Sequence, residues 1–188
     1  MLSFALTRDS LLLFLPVAAL LCALATGATS ANTPPAALTV GQPAPAFTVP
    51  DQNNHDVTLA DLRGQWVVLY FYPKADTPGC TKEACDLSNN FAGFEKMHAH
   101  ILGCSADTVA AQKKFAEKYH LKITLLADPQ HQVLEPYRAW REGRIVRSTV
   151  LIDPQGRIAY HWPNVSPTGH ADMVQKKLAE LQAAGTPK

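Results

Sequence analysis

The chain has 188 residues, 47% hydrophobic and 18% charged, which is enough apolar content for a sizeable core and too much for a disordered chain. Its 17 Lys plus Arg against 16 Asp plus Glu give a formal net charge of +1, so nothing in the bulk charge attracts nucleic acid or an anionic membrane surface. Four cysteines are too few for a disulfide-stapled scaffold, and no Cys-x2-Cys pair signals a structural zinc site.

Leu11 to Ala25 is an uncharged run of 15 residues behind a short segment carrying Arg8 and Asp9. A membrane span needs roughly 20 apolar residues, whereas a secretory leader uses about 7 to 15 followed by small residues. Residues 1–31 therefore read as a signal peptide, with Thr29 and Ala31 in the small positions before a cut ahead of Asn32. Cys22 would leave with it. The alternative is an uncleaved N-terminal anchor, because the leading segment is only weakly positive. A linker over 32–37, containing Pro34-Pro35, leads to one domain over 38–185. The expected location is periplasmic or secreted, without stable membrane association after cleavage. Cys80, Cys85 and Cys104 then remain, an odd count that leaves at least one thiol unpaired.

Trp66 to Tyr72 is a continuous β-branched and aromatic run that predicts a strand buried on both faces, ended by Pro73. Ala84, Leu87, Phe91 and Phe94 recur at helical spacing and predict one helix from about Thr81 to Met97. His100 to Ser105 predicts a second buried strand, and Asp107 or Thr108 caps a helix to about Tyr119. A third strand is expected over Ile123 to Leu126, a short helix over Gln130 to Tyr137, and a fourth strand over Ser148 to Ile152. Asp153-Pro154-Gln155-Gly156 is a hairpin turn before Arg157 to Trp162, and Gly169 to Ala184 is a terminal amphipathic helix. Alternating strands and helices followed by an antiparallel pair predict an α/β, thioredoxin-like fold: a mixed central sheet with helices on both faces.

Cys80 falls between a buried strand and a helix start, in the loop Pro73-Lys74-Ala75-Asp76-Thr77-Pro78-Gly79. In a first helical turn the backbone N–H groups are unpaired and the helix dipole favours an anion, which raises the reactive thiolate fraction. An inert buried cysteine is the ordinary alternative for a thiol inside an apolar strand. Here the Pro, Thr and Gly of a strand-end loop favour reactivity.

Pro73-x3-Thr77-x2-Cys80, together with Phe71-Tyr72-Pro73-Lys74 and Cys80-Thr81-Lys82-Glu83-Ala84-Cys85, resembles the peroxiredoxin Q branch of the peroxiredoxins, also called bacterioferritin comigratory protein. Val40-Gly41-Gln42-Pro43-Ala44-Pro45-Ala46-Phe47 is similar to the family's opening, Leu102-Gly103-Cys104-Ser105 to its second strand, and Arg147 to Asp153 to its arginine strand. The resemblance implies a peroxidase for hydrogen peroxide and organic hydroperoxides, without metal or organic cofactor and monomeric. It implies Cys80 as nucleophile, Thr77 as a hydrogen-bond partner of the peroxide, Pro73 as a shield and Arg147 as stabiliser of thiolate and developing charge. Arg147 as a surface residue and Thr77 as an ordinary turn residue are the plainer readings.

The resemblance also implies that Cys85 resolves the Cys80 sulfenic acid as an intramolecular disulfide, recharged by thioredoxin or a periplasmic thioredoxin-like protein; a spare thiol is the plainer reading. On an ideal helix, residues at this spacing have Cα atoms roughly 8 to 9 Å apart, beyond the roughly 7 Å limit of a disulfide, so the helix start must unwind. Cys104 reads as core filler, and the seven histidines form no metal-ligand spacing. An extracytoplasmic copper-binding module is the alternative function, although its usual Cys-x3-Cys spacing is absent and Thr77 and Arg147 have no use there.

Overall fold

The computed structural model describes residues 38–185; the expected signal peptide with Cys22, and the linker, lie outside the described residues. Two short strands, β1 (Thr48–Pro50) and β2 (Asp56–Thr58), pair antiparallel and lead through a single-turn helix over Leu59–Leu62 into β3 (Trp66–Phe71). Helices α1 (Pro78–Asn89) and α2 (Phe91–Lys96) precede β4 (Ala99–Ser105), followed by α3 (Val109–Lys118) and β5 (Thr124–Ala127). A small hairpin, β6 (Trp140–Arg141) and β7 (Arg144–Ile145), precedes β8 (Ser148–Ile152), β9 (Ile158–Trp162) and α4 (His170–Ala184).

The main sheet has the order β5-β4-β3-β8-β9. β3 runs parallel to β4 and antiparallel to β8, so the sheet is mixed, as expected. All six residues of β3 are buried, and its side chains alternate between two cores. Trp66, Val68 and Tyr70 pack with Ala84, Leu87 and Phe94 of α1 and α2, Phe115 of α3, and Val174 and Leu178 of α4. Val67, Leu69 and Phe71 pack with Val49, Leu59, Leu134 and Tyr137. Helices thus flank the sheet, but the apolar buried residues of α1 to α4 belong to one face, and the single-turn helix, short strands and turns cover the other. Helices on both faces were expected. The difference arises because 130–137 forms turns rather than a helix. Pro136 has no N–H to continue the bonds that Glu135 and Tyr137 make to His131 and Val133, and Arg138, at φ 57°, ends the run with its N–H on Glu135 O.

The helix expected over 81–97 is also divided. Asn90 adopts φ −87°, ψ 4°, and its side chain donates to Asp86 O at 2.9 Å, a local bond that competes with continuation. The hairpin turn forms as read: Gly156 has φ 71° and donates to Asp153 O at 2.8 Å.

Gly103 is set by its neighbour. It lies opposite Tyr70 in the parallel register, and a Cβ there would sit 2.6 Å from the Tyr70 ring. Gly103→Ala is expected to destabilise the protein by about 1–3 kcal/mol through overpacking, read from the denaturant midpoint. A change within about 0.5 kcal/mol, typical of unconstrained surface positions, would show that the strands separate freely there.

Candidate active site

The buried β3 delivers the chain to a loop fixed at several points. Ala75 N–H donates to Asp107 Oδ2 at 2.7 Å, and Asp107 also accepts from Ser105 Oγ at 2.7 Å. Gln112 links Ser105 to the core: its Nε2 donates to Ser105 Oγ and Leu126 O, both at 2.9 Å, while its Oε1 accepts from Tyr72 at 2.5 Å. Asp76 holds a left-handed φ of 58°, and its carboxylate receives Lys118 Nζ at 2.8 Å and Tyr119 OH at 2.7 Å. Those two bonds hold its carboxyl below the usual carboxylate range. A strained residue tied to α3 on one side and a buried network on the other fixes where α1 begins.

Thr77 precedes α1 in an extended conformation, Pro78 occupies its first position, and the helix's first bond runs from Thr81 N–H to Thr77 O at 2.8 Å. Cys80 therefore lies in the first turn, as expected, and is only 2% exposed. The Thr77 hydroxyl donates to Lys74 O at 3.0 Å rather than capping the helix, so its lone pairs are free to accept. Pro73 stands exposed at the end of β3.

Arg147, between β7 and β8, donates from Nη2 to Cys80 Sγ at 3.1 Å. Its Nη1 meets Glu83 Oε2 in a salt bridge. Glu83 is fully buried and lies one helical turn after Cys80, on the same face of α1. Burial opposes the Arg147 charge, but Glu83 and Cys80 outweigh it and hold the guanidinium above its ordinary pKa. The other Glu83 oxygen, Oε1, faces His170 Nδ1 at 2.7 Å, and His170 Nε2 bonds Thr149 Oγ1 at 2.9 Å. A fixed guanidinium on the sulfur stabilises a thiolate and any negative charge appearing beside it.

The structure thus brings Cys80 and Arg147 together, with Thr77 in the adjoining loop. Cys85 shares α1 with Cys80 and is half-buried; Cys80, Cys85 and Cys104 are all free thiols. Cys104 is fully buried among Leu69, Phe71, Leu126 and Val133, on the sheet face opposite Cys80. Burial, with a smaller contribution from Asp128, pushes its thiol well up. Among the described residues no group of three or more His, Cys, Asp or Glu could hold a metal ion. Sequence reasoning missed Glu83 and His170. The spacing of Glu83 from Cys80 on one helix was the usable signal; nothing in the order of residues brings His170 to either.

A thiol at a helix start under a guanidinium, carried at the end of a central strand, defines a thiol-based redox enzyme. The chain belongs to the AhpC/TSA family, whose model matches residues 40–161. Peroxiredoxin Bcp of Escherichia coli K12 is 40% identical over 151 residues, covering 76% of this chain and 97% of that protein. Peroxiredoxin Bcp of Bacillus subtilis is 36% identical over 150 residues, covering 76% and 96%. Among solved structures, a PrxQ mutant from Xylella fastidiosa superposes with a TM-score of 0.75 at 30% identity, covering 78% of this chain and 99% of that one. The Xanthomonas campestris bacterioferritin comigratory protein, described for its alkyl peroxide reduction activity, gives 0.72 at 30%, covering 76% and 98%. The resemblance to the peroxiredoxin Q branch holds, and these relatives give the copper-module alternative no support.

Burial, and next to it the Asp86 charge, raise the Cys85 thiol above its ordinary value. A raised value keeps Cys85 protonated through neutral pH, with thiolate appearing only as pH climbs past the usual thiol range. Alkylation of Cys85 in reduced protein, followed by peptide mass spectrometry, should be slow at pH 7, rise with pH, and be faster in Asp86→Asn at each pH below saturation. A rate independent of pH between 7 and 9 would contradict this environment.

Proposed function

We infer that this thiol-dependent peroxidase uses Cys80 as its peroxidatic nucleophile. The observation that carries the reading is the 3.1 Å bond from Arg147 Nη2 to Cys80 Sγ at the start of α1. The thiolate supplies two electrons to the terminal oxygen of the hydroperoxide, an S–O bond forms as the O–O bond breaks, and the departing alkoxide or hydroxide takes a proton. Arg147 and the free N–H groups of the first turn stabilise charge moving from sulfur to the leaving oxygen. Thr77, its own proton committed to Lys74, accepts a hydrogen bond from the peroxide hydroxyl. Pro73 has a steric part, shielding the thiolate from the side of the loop. Hydrogen peroxide and organic hydroperoxides both fit this chemistry, and the relative described for alkyl peroxide reduction supports the second class.

Cys85 then displaces hydroxyl from the Cys80 sulfenic acid; a disulfide forms and water leaves. The family's thioredoxin-type reductant returns both thiols. For this chain the donor is an extracytoplasmic thioredoxin-like protein, the enzyme is a monomer, and the leader is cleaved. The readings of the donor's location and of the cleaved leader rest on the short apolar run over Leu11 to Ala25 and the small residues after it. N-terminal sequencing of the exported protein should find Asn32 first; intact Met1 in the membrane fraction would replace export with anchoring.

Stopped-flow peroxide consumption separates the roles. Cys80→Ser should abolish turnover. Cys85→Ser should keep one rapid oxidation of Cys80 and lose turnover with dithiol protein donors, while Cys104→Ser keeps both. Substantial turnover in Cys80→Ser would end the mechanism.

A further inference from the structure

The buried carboxylate of Glu83 is shared between two cations or cation-capable groups, both from the C-terminal part of the domain: Arg147 before β8 and His170 at the start of α4. Oε2 meets Arg147, whose second nitrogen holds Cys80 Sγ. Oε1 faces His170 Nδ1 at 2.7 Å, and both side chains are fully buried. That approach is electrostatic, off the line of a good hydrogen bond, and neither atom has a hydrogen-bond partner. His170 opens α4, and its ring is set from behind by Thr149 Oγ1 on β8, bonded to Nε2 at 2.9 Å. In the tautomer that turns a proton toward the carboxylate, Nδ1 carries that proton and Nε2 accepts from Thr149 Oγ1. Tyr70 of β3 is the remaining titratable group against this row; it is fully buried, its hydroxyl is unpartnered, and burial, with lesser contributions from Tyr72, Glu83 and Cys80, keeps it protonated.

A buried carboxylate held by one partner alone can rotate about its terminal torsion and let that partner drift. Held at both oxygens, it cannot. Resting on the assignment of Cys80 as nucleophile, we propose that His170 is a positioning residue for the peroxidase reaction: by fixing Glu83 it fixes the Arg147 guanidinium against the Cys80 sulfur. His170 touches neither sulfur nor peroxide in this scheme. Its effect reaches the reacting atoms only through Glu83 and Arg147, so it should govern the rate of Cys80 oxidation more than the affinity for any peroxide. The amide of an asparagine places an N–H where Nδ1 stood, whereas that of a glutamine reaches toward Nε2; leucine fills the space with no donor.

The test is rapid-quench oxidation of Cys80 by one equivalent of hydrogen peroxide, read by mass, in wild type, His170→Leu, His170→Asn and His170→Gln, each checked for folding by its unfolding midpoint. The expected result is a loss of roughly tenfold or more in His170→Leu, since small misplacements of catalytic groups cost up to about 10²-fold, with most of the rate recovered in His170→Asn and less in His170→Gln. Wild-type rates in folded His170→Leu would overturn the proposal, and so would equal losses in the Asn and Leu variants, which mark packing alone. If His170→Leu does not fold, equal rates in the Asn and Gln variants overturn it. Absence of oxidation at Cys80 in wild type would instead refute the assignment of the nucleophile and leave the Glu83 contact unexplained by catalysis.

Discussion

Cys80 and Cys85 lie on one continuous helix, α1, and that single fact divides the proposed catalytic cycle into two structures. The geometry of a helix puts their Cα atoms roughly 8 to 9 Å apart with side chains on different faces, and a disulfide closes only below about 7 Å. The helix that organises Cys80 for attack is therefore incompatible with the bond that completes the reaction. Peroxide reduction needs α1 wound, because the unpaired N–H groups of its first turn and Glu83 are what set the sulfur's surroundings. Resolution needs the same turns undone. Half-burial of Cys85 and its raised thiol value fit this division, since the wound helix keeps the resolving thiol protonated and out of the way until the segment opens.

What holds the wound state is largely polar and largely buried. The loop before Cys80 is pinned through Asp107, Ser105, Gln112 and Tyr72, a network of satisfied bonds inside the core. The helix itself is pinned through Glu83 to Arg147 and His170. A buried carboxylate with partners costs little net, but one stripped of them costs about 3–5 kcal/mol. Unwinding α1 draws Glu83 away from Arg147 and His170, which lie outside that helix, so solvation must replace both contacts. Opening is thus restrained without being forbidden.

The sequence carried the long elements and the nucleophile because both are local properties. The runs Trp66 to Tyr72 and Ser148 to Ile152 are buried on both faces in the structure, and uninterrupted apolar character is the direct mark of that burial. Cys80 was legible from the strand, the Pro and Gly before it and the helix after it. What escaped was short or distant. β6 and β7 are two residues each, too short for any period to show, and β1 and β2 are three. The turns over 130–137 carry helix-like spacing, yet Pro136 lacks the N–H to continue it and Arg138 turns left-handed. Asn90 divides one expected helix through a bond of its own side chain. Glu83 was within reach, since residues at that spacing on a helix share a face with Cys80. His170 was not, because only the completed sheet and the packing of α4 on α1 bring it there.

The central claim, that the Cys80–Cys85 disulfide and the wound α1 exclude one another, is tested most directly by backbone amide exchange in fully reduced and peroxide-oxidised protein. Amides from about Thr81 to Asn90 should exchange faster once the Cys80–Cys85 disulfide has formed, because that segment gives up its helical bonds, while those of β3 and β8 keep their protection. Equal protection of 81–90 in the two states, or an oxidised product that is a disulfide-linked dimer, would contradict the account.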